Sequence, residues 1–188
     1  MFVAVQPPDD VLDHLDDFLD ARRDAADFRW TLREHLHVTL AFLAEVQDRA
    51  RDDLDARLER AAKRRTAFAA ALAGGGAFPN VARARVLWTG MDLSDAARTE
   101  FARLATGARA AASKAGIAVD GARFTPHVTV ARLRHPRETT SWVRLLDSYR
   151  GPTWTVASVD LVASFLGEGP GNRPRYETVA SFPLGSPA

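Results

Sequence analysis

The sequence predicts an α+β fold: two pseudo-symmetric lobes, each with an antiparallel sheet and helices, around a central cleft. Three observations predict it. Helical and strand periodicities mix along the chain without strict βαβ alternation, which disfavours a doubly wound parallel sheet. The pattern His-apolar-Thr-apolar occurs twice, as His37-Val38-Thr39-Leu40 and as His127-Val128-Thr129-Val130. Each copy sits in a half of the chain with helices and strands of its own. The chain has 188 residues, 46% of them hydrophobic, which suffices for one two-lobed domain over residues 1–188.

Met1 to Val5 is a short apolar run stopped by Pro7-Pro8 and reads as the first strand. Val11, Leu12, Leu15, Phe18 and Leu19 then recur at helical spacing. Asp9 or Asp10 is placed to cap that helix, and Asp13, Asp16, Asp17 and Asp20 fall on its solvated face. "FRWTL" and "HVTLAFL" read as strands. "DRARDDLDARLERAAKRR" reads as an amphipathic helix with Leu54 and Leu58 on one face. "AFAAAL" reads as a strand ending at Gly74-Gly75-Gly76; the triplet lacks the Gly-Lys-Ser/Thr of a nucleotide P-loop and reads as a flexible turn. "RVLWTGM" is another strand. A helix runs from Ser94 to Ala115 and stops at Gly116. "ARFTPHVTVARL" follows as strand-turn-strand, then a short helix from Thr140 to Ser148. "TWTVASVDLVASFL" and "YETVASFPL" close the chain as two strands, with "GEGPGNRPR" as the loop between them.

Composition narrows the function classes. The formal net charge is +1, so no overall field drives the chain onto nucleic acid. Of 25 basic residues, only Lys63 and Lys114 are lysines. The arginines suit bidentate contacts to phosphate, although a codon bias towards Ala and Arg accounts for them equally well. The absence of cysteine removes disulfides, thiol nucleophiles and Cys-ligated zinc. "MFVAVQPPDD" has no signal-peptide character, and no window approaches ~18 uninterrupted apolar residues. The expectation is a cytoplasmic monomer with no membrane contact.

The repeated motif carries chemistry. In a strand, residues i and i+2 share a face. His37 and Thr39 therefore point one way and Val38 and Leu40 the other, and the same holds for His127 and Thr129 against Val128 and Val130. Composition (5 His and 13 Thr) predicts roughly 0.07 occurrences of this pattern. Two buried structural histidines, each bonded to a nearby Thr, are the plain alternative. Displacement at a phosphodiester needs a base for the entering oxygen and an acid for the leaving one. Histidine serves both roles near neutrality. Threonine hydroxyls can donate to non-bridging oxygens without adding charge, and neither a metal nor another cofactor is required.

With these residues in view, the chain resembles the bacterial and archaeal RNA 2',3'-cyclic phosphodiesterases, also called 2'-5' RNA ligases, of the two-histidine phosphoesterase superfamily. The likeness runs through "FVAVQPP", "RWT", "LHVTLAFLAEV", "GAFPNVARARVLWTG", "RFTPHVTVARL" and "YETVASFPL". It implies that His37 is the catalytic proton donor, His127 the proton acceptor, and Thr39 and Thr129 the phosphate ligands. It also implies nucleotide contacts from Phe42 and Arg132, each five residues after a motif histidine. The implied reaction is hydrolysis of an RNA 2',3'-cyclic phosphate end, tRNA fragments included, to a 2'-phosphomonoester, with weak reverse ligation by the same pair. Small cyclic nucleotides are an alternative substrate class, and a non-catalytic RNA-end-binding module is an alternative of another kind. The chain departs from the family at Ala44, where Gly is usual, at "LREH", and at His35. His35 and His37 form His-x-His on one strand face; with His127 they would make a metal site, a rival reading that leaves the threonines unexplained. His14 and His135 read as solvated.

Overall fold

The structure, a computed structural model, describes residues 1–119 and 124–185. Nine strands and four helices are described: β1 (Phe2–Val5), α1 (Asp9–Arg23), β2 (Arg29–Trp30), β3 (Val38–Phe42), α2 (Asp48–Lys63), β4 (Phe68–Phe78), β5 (Ala84–Asp92), α3 (Asp95–Lys114), β6 (Val128–Arg137), α4 (Thr140–Asp147), β7 (Arg150–Val156), β8 (Ser158–Gly169) and β9 (Arg173–Pro183). The class is α+β, as the mixed periodicities predict. None of the described helices is long and apolar enough to cross a membrane.

All the strand pairings are antiparallel and form one curled sheet, ordered β7-β4-β5-β6-β3-β1-β8-β9, with β2 added beside β6. The sheet divides naturally into two four-stranded halves, β7-β4-β5-β6 and β3-β1-β8-β9. Reversing the order exchanges β6 with β3, the two strands that carry the repeated motif. Among the described residues the halves meet at a single register pair, Val38 with Val128. Helix α4 packs on β4 and β5, α1 on β7, and α2 on α3 and β9. Helix α3 reaches both β3 and β4, and so braces the two halves across their junction.

The helices form where their apolar stripes dictate. Val11, Leu12, Leu15 and Leu19 of α1 are buried, as are Leu54, Leu58 and Ala62 of α2. In α3, Phe101, Leu104, Ala105, Ala108 and Ala112 repeat at three- and four-residue steps and are buried. The Ser94 hydroxyl oxygen accepts from the Ala97 N–H at 3.2 Å, and Gly116 takes φ +77°, so α3 starts and stops where expected.

The first helix is capped differently from the expectation. Pro8 is the N-cap, and its carbonyl accepts from the Val11 and Leu12 N–H groups at 3.0 Å each. Asp9 and Asp10 lie inside the first turn, where they face the positive helix end. Three strand assignments also change. "TWTVASVDLVASFL" is two strands, β7 and β8, broken at Ala157. Most of "GEGPGNRPR" belongs to β8 and β9, which leaves a tight turn at residues 170–172. In "ARFTPHVTVARL", residues 122 and 123 lie outside the described residues, and Phe124 to His127 belong to no strand.

The glycine triplet is not a turn. Strand β4 runs through it, with a register shift between Leu72 and Gly75 that Gly74 absorbs at φ +77°. The physical reason is crowding. A Cβ on Gly75 would stand 2.5 Å from Leu146 Cβ, and one on Gly76 would stand 2.0 Å from the Trp88 ring. Glycine here lets α4 and the indole approach the strand backbone.

Gly76→Ala should therefore lower stability by about 1–3 kcal/mol, the cost of overpacking a filled site, and so lower the urea midpoint. Gly107→Ala on α3, whose new methyl meets only Ala61 Cβ at 3.4 Å, should be neutral or raise stability by up to ~1 kcal/mol. Equal midpoints for Gly76→Ala and the parent would mean that the Trp88 ring yields freely.

Candidate functional site

The two motif strands share more than sequence. From their first residue, β3 and β6 follow the same burial pattern: buried, partly buried, buried, buried, exposed. Val38 and Leu40 enter the core, as do Val128 and Val130, while Thr39 and Thr129 turn to the opposite face. The antiparallel register around Val38 and Val128 sets His37 opposite Thr129 and Thr39 opposite His127. The four side chains line one cavity of about 380 Å³. Phe42, 55% exposed, and the exposed Arg132 line the same cavity from the fifth position after each histidine. All six residues singled out in the sequence therefore converge.

The imidazoles are held alike. Each Nδ1 lies 2.7 Å from the carbonyl oxygen two residues back, His35 for His37 and Thr125 for His127. A carbonyl only accepts, so each Nδ1 carries the proton and donates it. Each Nε2 is left as the edge that gains or loses a proton. Aromatic rings complete the two mounts. His37 stacks on Phe2 at 4.6 Å and meets Tyr176 edge-on at 5.6 Å. His127 meets Phe78 edge-on at 5.0 Å and Trp88 at 5.8 Å. With two χ angles fixed by a hydrogen bond and by ring contacts, neither imidazole has much freedom left.

The cavity is cationic. Arg29, Arg132 and Arg173 line it, and no carboxylate does so among the described residues. Arg29 stands directly across from Arg132 in the β2–β6 register, an arrangement of like charges that a sheet does not favour by itself. Burial pushes His37 down from the ordinary histidine range to about 4; the His35, His127 and Arg132 charges act in the same direction, and the hydrogen bond to the His35 carbonyl opposes them. His127 is also lowered, first by burial and then by Arg132, with the Thr125 carbonyl opposing. Both imidazoles favour the neutral form, His37 the more strongly.

His35 is not on a strand face with His37. A 3-10 turn over Arg33–His35 breaks the two-residue period, and the His35 ring rests on Tyr176 at 4.5 Å. It lines the cavity too. No group of three His, Asp or Glu side chains able to hold a metal ion occurs among the described residues. His135 is exposed on β6 as expected. His14 is exposed as well, but its Nδ1 lies 3.0 Å from the Tyr149 hydroxyl, so it is not simply solvated.

Sequence reasoning missed Phe2, Phe78, Trp88, Tyr176, Arg29 and Arg173. Phe2 had a faint signal, since it alternates with Val3 and Val5 on β1. Both faces of β1 are buried, however, so the alternation carries no polarity. Phe2, Ala4 and Val162 form a small apolar cluster, apart from the main core, against which Tyr176 packs.

The family model described as the 2'-5' RNA ligase superfamily matches residues 7–165. A protein of Aquifex aeolicus (strain VF5) named RNA 2',3'-cyclic phosphodiesterase is 30% identical over 158 residues, 84% of this chain and 82% of that protein. One of the same name from Aeropyrum pernix is 32% identical over 153 residues, 79% of this chain and 84% of that one. The crystal structure of TT0787 of Thermus thermophilus superposes with a TM-score of 0.78 at 28% identity, covering 100% of this chain and 98% of that one.

The lowered His37 value makes a stability prediction. An imidazole that titrates near 6.5 when unfolded and near 4 when folded contributes stability fully above about pH 6.5 and loses it as pH falls towards 4. Between pH 7 and 4.5 the parent should lose on the order of 1–2 kcal/mol more than His37→Asn, whose amide still donates to the His35 carbonyl. Urea denaturation at both pH values measures this, and parallel losses would mean that folding leaves His37 unperturbed.

Proposed function

The chain belongs to the 2'-5' RNA ligase superfamily, and from that premise we propose that it is a phosphodiesterase hydrolysing RNA 2',3'-cyclic phosphate ends to 2'-phosphomonoesters. One observation carries the reading. Two imidazoles with matched Nδ1 anchors and two threonines line a single cationic cavity.

The cyclic phosphate binds with its non-bridging oxygens towards the Thr39 and Thr129 hydroxyls, in the field of Arg29, Arg132 and Arg173. A water attacks phosphorus on the side away from the 3' oxygen. His127, neutral at Nε2, accepts a proton from that water. His37, protonated at Nε2, gives its proton to the 3' oxygen as the P–O bond breaks. The products are a 2'-phosphomonoester and a 3'-hydroxyl, and solvent exchange returns both histidines to their starting states. The chemistry needs an acid and a base on opposite sides of phosphorus, and the opposed strands β3 and β6 suit that need. Phe42 and Arg132 flank the terminal base, a ring and a guanidinium that can stack on its two faces.

The donor is the histidine held neutral more firmly, so the substrate must supply part of what it lacks. A diester anion between the two rings favours the imidazolium form of each. The cavity is near the small end of the usual ~300–1,000 Å³ for ligand sites and suits one terminal nucleotide. That size favours 2',3'-cyclic mononucleotides as a second substrate class for the same chemistry.

The decisive experiment supplies an RNA oligonucleotide ending in a 2',3'-cyclic phosphate and identifies the product, which should carry its phosphate on the 2' oxygen. His37→Ala and His127→Ala should each lower turnover about 10²-fold or more. Thr39→Val and Thr129→Val should each cost about 1–3 kcal/mol of transition-state stabilisation. His135→Ala should act like the parent, and activity should persist after exhaustive chelation. Normal turnover in either motif-histidine variant removes that residue from the mechanism; loss in chelator restored by a divalent ion points instead to the metal reading.

The pH profile adds a second check. Because both histidines are lowered in the free protein, the bell-shaped kcat/KM curve should centre below pH ~6.5. The kcat curve should centre higher, because bound anion raises both groups. Coincident curves centred above neutrality would contradict the account of the cavity's electrostatics.

A further inference from the structure

A second, larger groove lies away from the histidines. It runs between α2 and α3 with a volume of about 810 Å³. Arg57, Arg60, Arg64 and Arg65 line one side. Arg98, Arg103 and Lys114 line the other, and no carboxylate lines the groove among the described residues. The floor is made of small residues, where Gly107 and Ala61 let the helices approach closely.

Not all of that charge is neutralised within the protein. Arg57 pairs with Asp53, while Arg65 and Arg103 share Glu100. Arg60, Arg64, Arg98 and Lys114 are exposed and make no ion pair among the described residues. In a chain with a formal net charge of +1, such a concentration means that charge is separated across the molecule. Helix α1 is the counterweight, with Asp9, Asp10, Asp13, Asp16, Asp17 and Asp20 on one element. Gathering cations in one trough costs repulsion, which a bound polyanion relieves.

The groove opens on the far side of the sheet from the cleft. Helix α3 packs on β3, whose Val38 and Leu40 are buried, while Thr39 points to the other face. Along α3 the lining extends from Arg98 to Lys114, about 24 Å at 1.5 Å per residue. That length faces several phosphates of a nucleic-acid strand, whereas the cleft holds about one nucleotide.

We propose that the α2–α3 groove is a second RNA-binding site, which grips the sugar-phosphate backbone of the RNA body independently of the end held in the cleft. The choice of RNA as the polyanion rests on the proposed function above; the charge and the length of the groove do not. Arginines without base-reading partners imply binding that is insensitive to sequence and steeply dependent on salt.

The test uses a fluorescent RNA hairpin ending in a 3'-hydroxyl, so that no cyclic phosphate is present, with Kd measured by anisotropy at several salt concentrations. The parent and His127→Ala should bind alike. The variant R60E/R64E should bind about tenfold or more weakly, with a salt slope smaller by about 2. R60Q/R64Q should fall between them, and thermal melts should show all variants folded. Turnover of a 2',3'-cyclic mononucleotide should be unchanged in both arginine variants. Parent-like Kd and slope in R60E/R64E, or no RNA binding by the parent, overturns the proposal. Failure of the proposed function would read out differently, as no turnover of any cyclic phosphate while the arginine variants still weaken hairpin binding.

Discussion

The site depends on one backbone contact, the antiparallel pair Val38–Val128. It is the only register pair joining the two halves of the sheet among the described residues, and it lies between the residues that matter. One step either way along each strand comes an imidazole or a hydroxyl. Because the two valines are fully buried, neither strand can slip by one residue without turning its histidine and threonine into the core and two apolar side chains into the cleft. Register here decides which side chains face the cleft. Helix α3, in contact with both halves, holds that junction from behind.

Around this contact the protein sets two electrostatic demands against each other. Burial and the Arg132 guanidinium favour neutral imidazoles, while the carbonyls of His35 and Thr125 favour protonated ones. Burial wins at both, so the unliganded cleft stores positive charge on arginine rather than on histidine. Arginine keeps its proton at any physiological pH, so the positive field of the cleft stays constant while the histidines remain free to titrate. The fixed charge and the titratable groups of the cleft thereby sit on different side chains.

The histidine pair, the threonines and the fifth-position Phe42 and Arg132 were legible because a strand repeats every two residues and the motif occurs twice. The α2 and α3 boundaries were legible from apolar spacing and from Ser94 and Gly116. What was not legible depends on contacts distant in sequence. Gly74 to Gly76 read as a turn because composition cannot reveal that the Trp88 ring and α4 press on that backbone. The break at Ala157 is hidden inside a continuous run of strand-forming residues. Phe2 and Tyr176 meet His37 from opposite ends of the chain, and nothing in their spacing announces it.

The two sheet halves are unequal in one respect, their continuity along the chain. Strands β4, β5, β6 and β7 come from one unbroken stretch, whereas β1 and β3 lie before it and β8 and β9 after it. One half is thus an insertion within the other. During synthesis, β1 emerges long before β8 and must wait for it, since Phe2 pairs with Val162. Until then the outer edge of β1 is an apolar strand without a neighbour, a template for mispairing with other chains. The inserted half waits less, because its most distant pairing, Phe68 with Val156, is closer along the chain than Phe2 with Val162. Long-range closure is the slow kind of contact, because loop entropy is lost before the contact stabilises anything. The order of assembly is therefore written into the topology: the half carrying His127 can form while the half carrying His37 awaits β8 and β9.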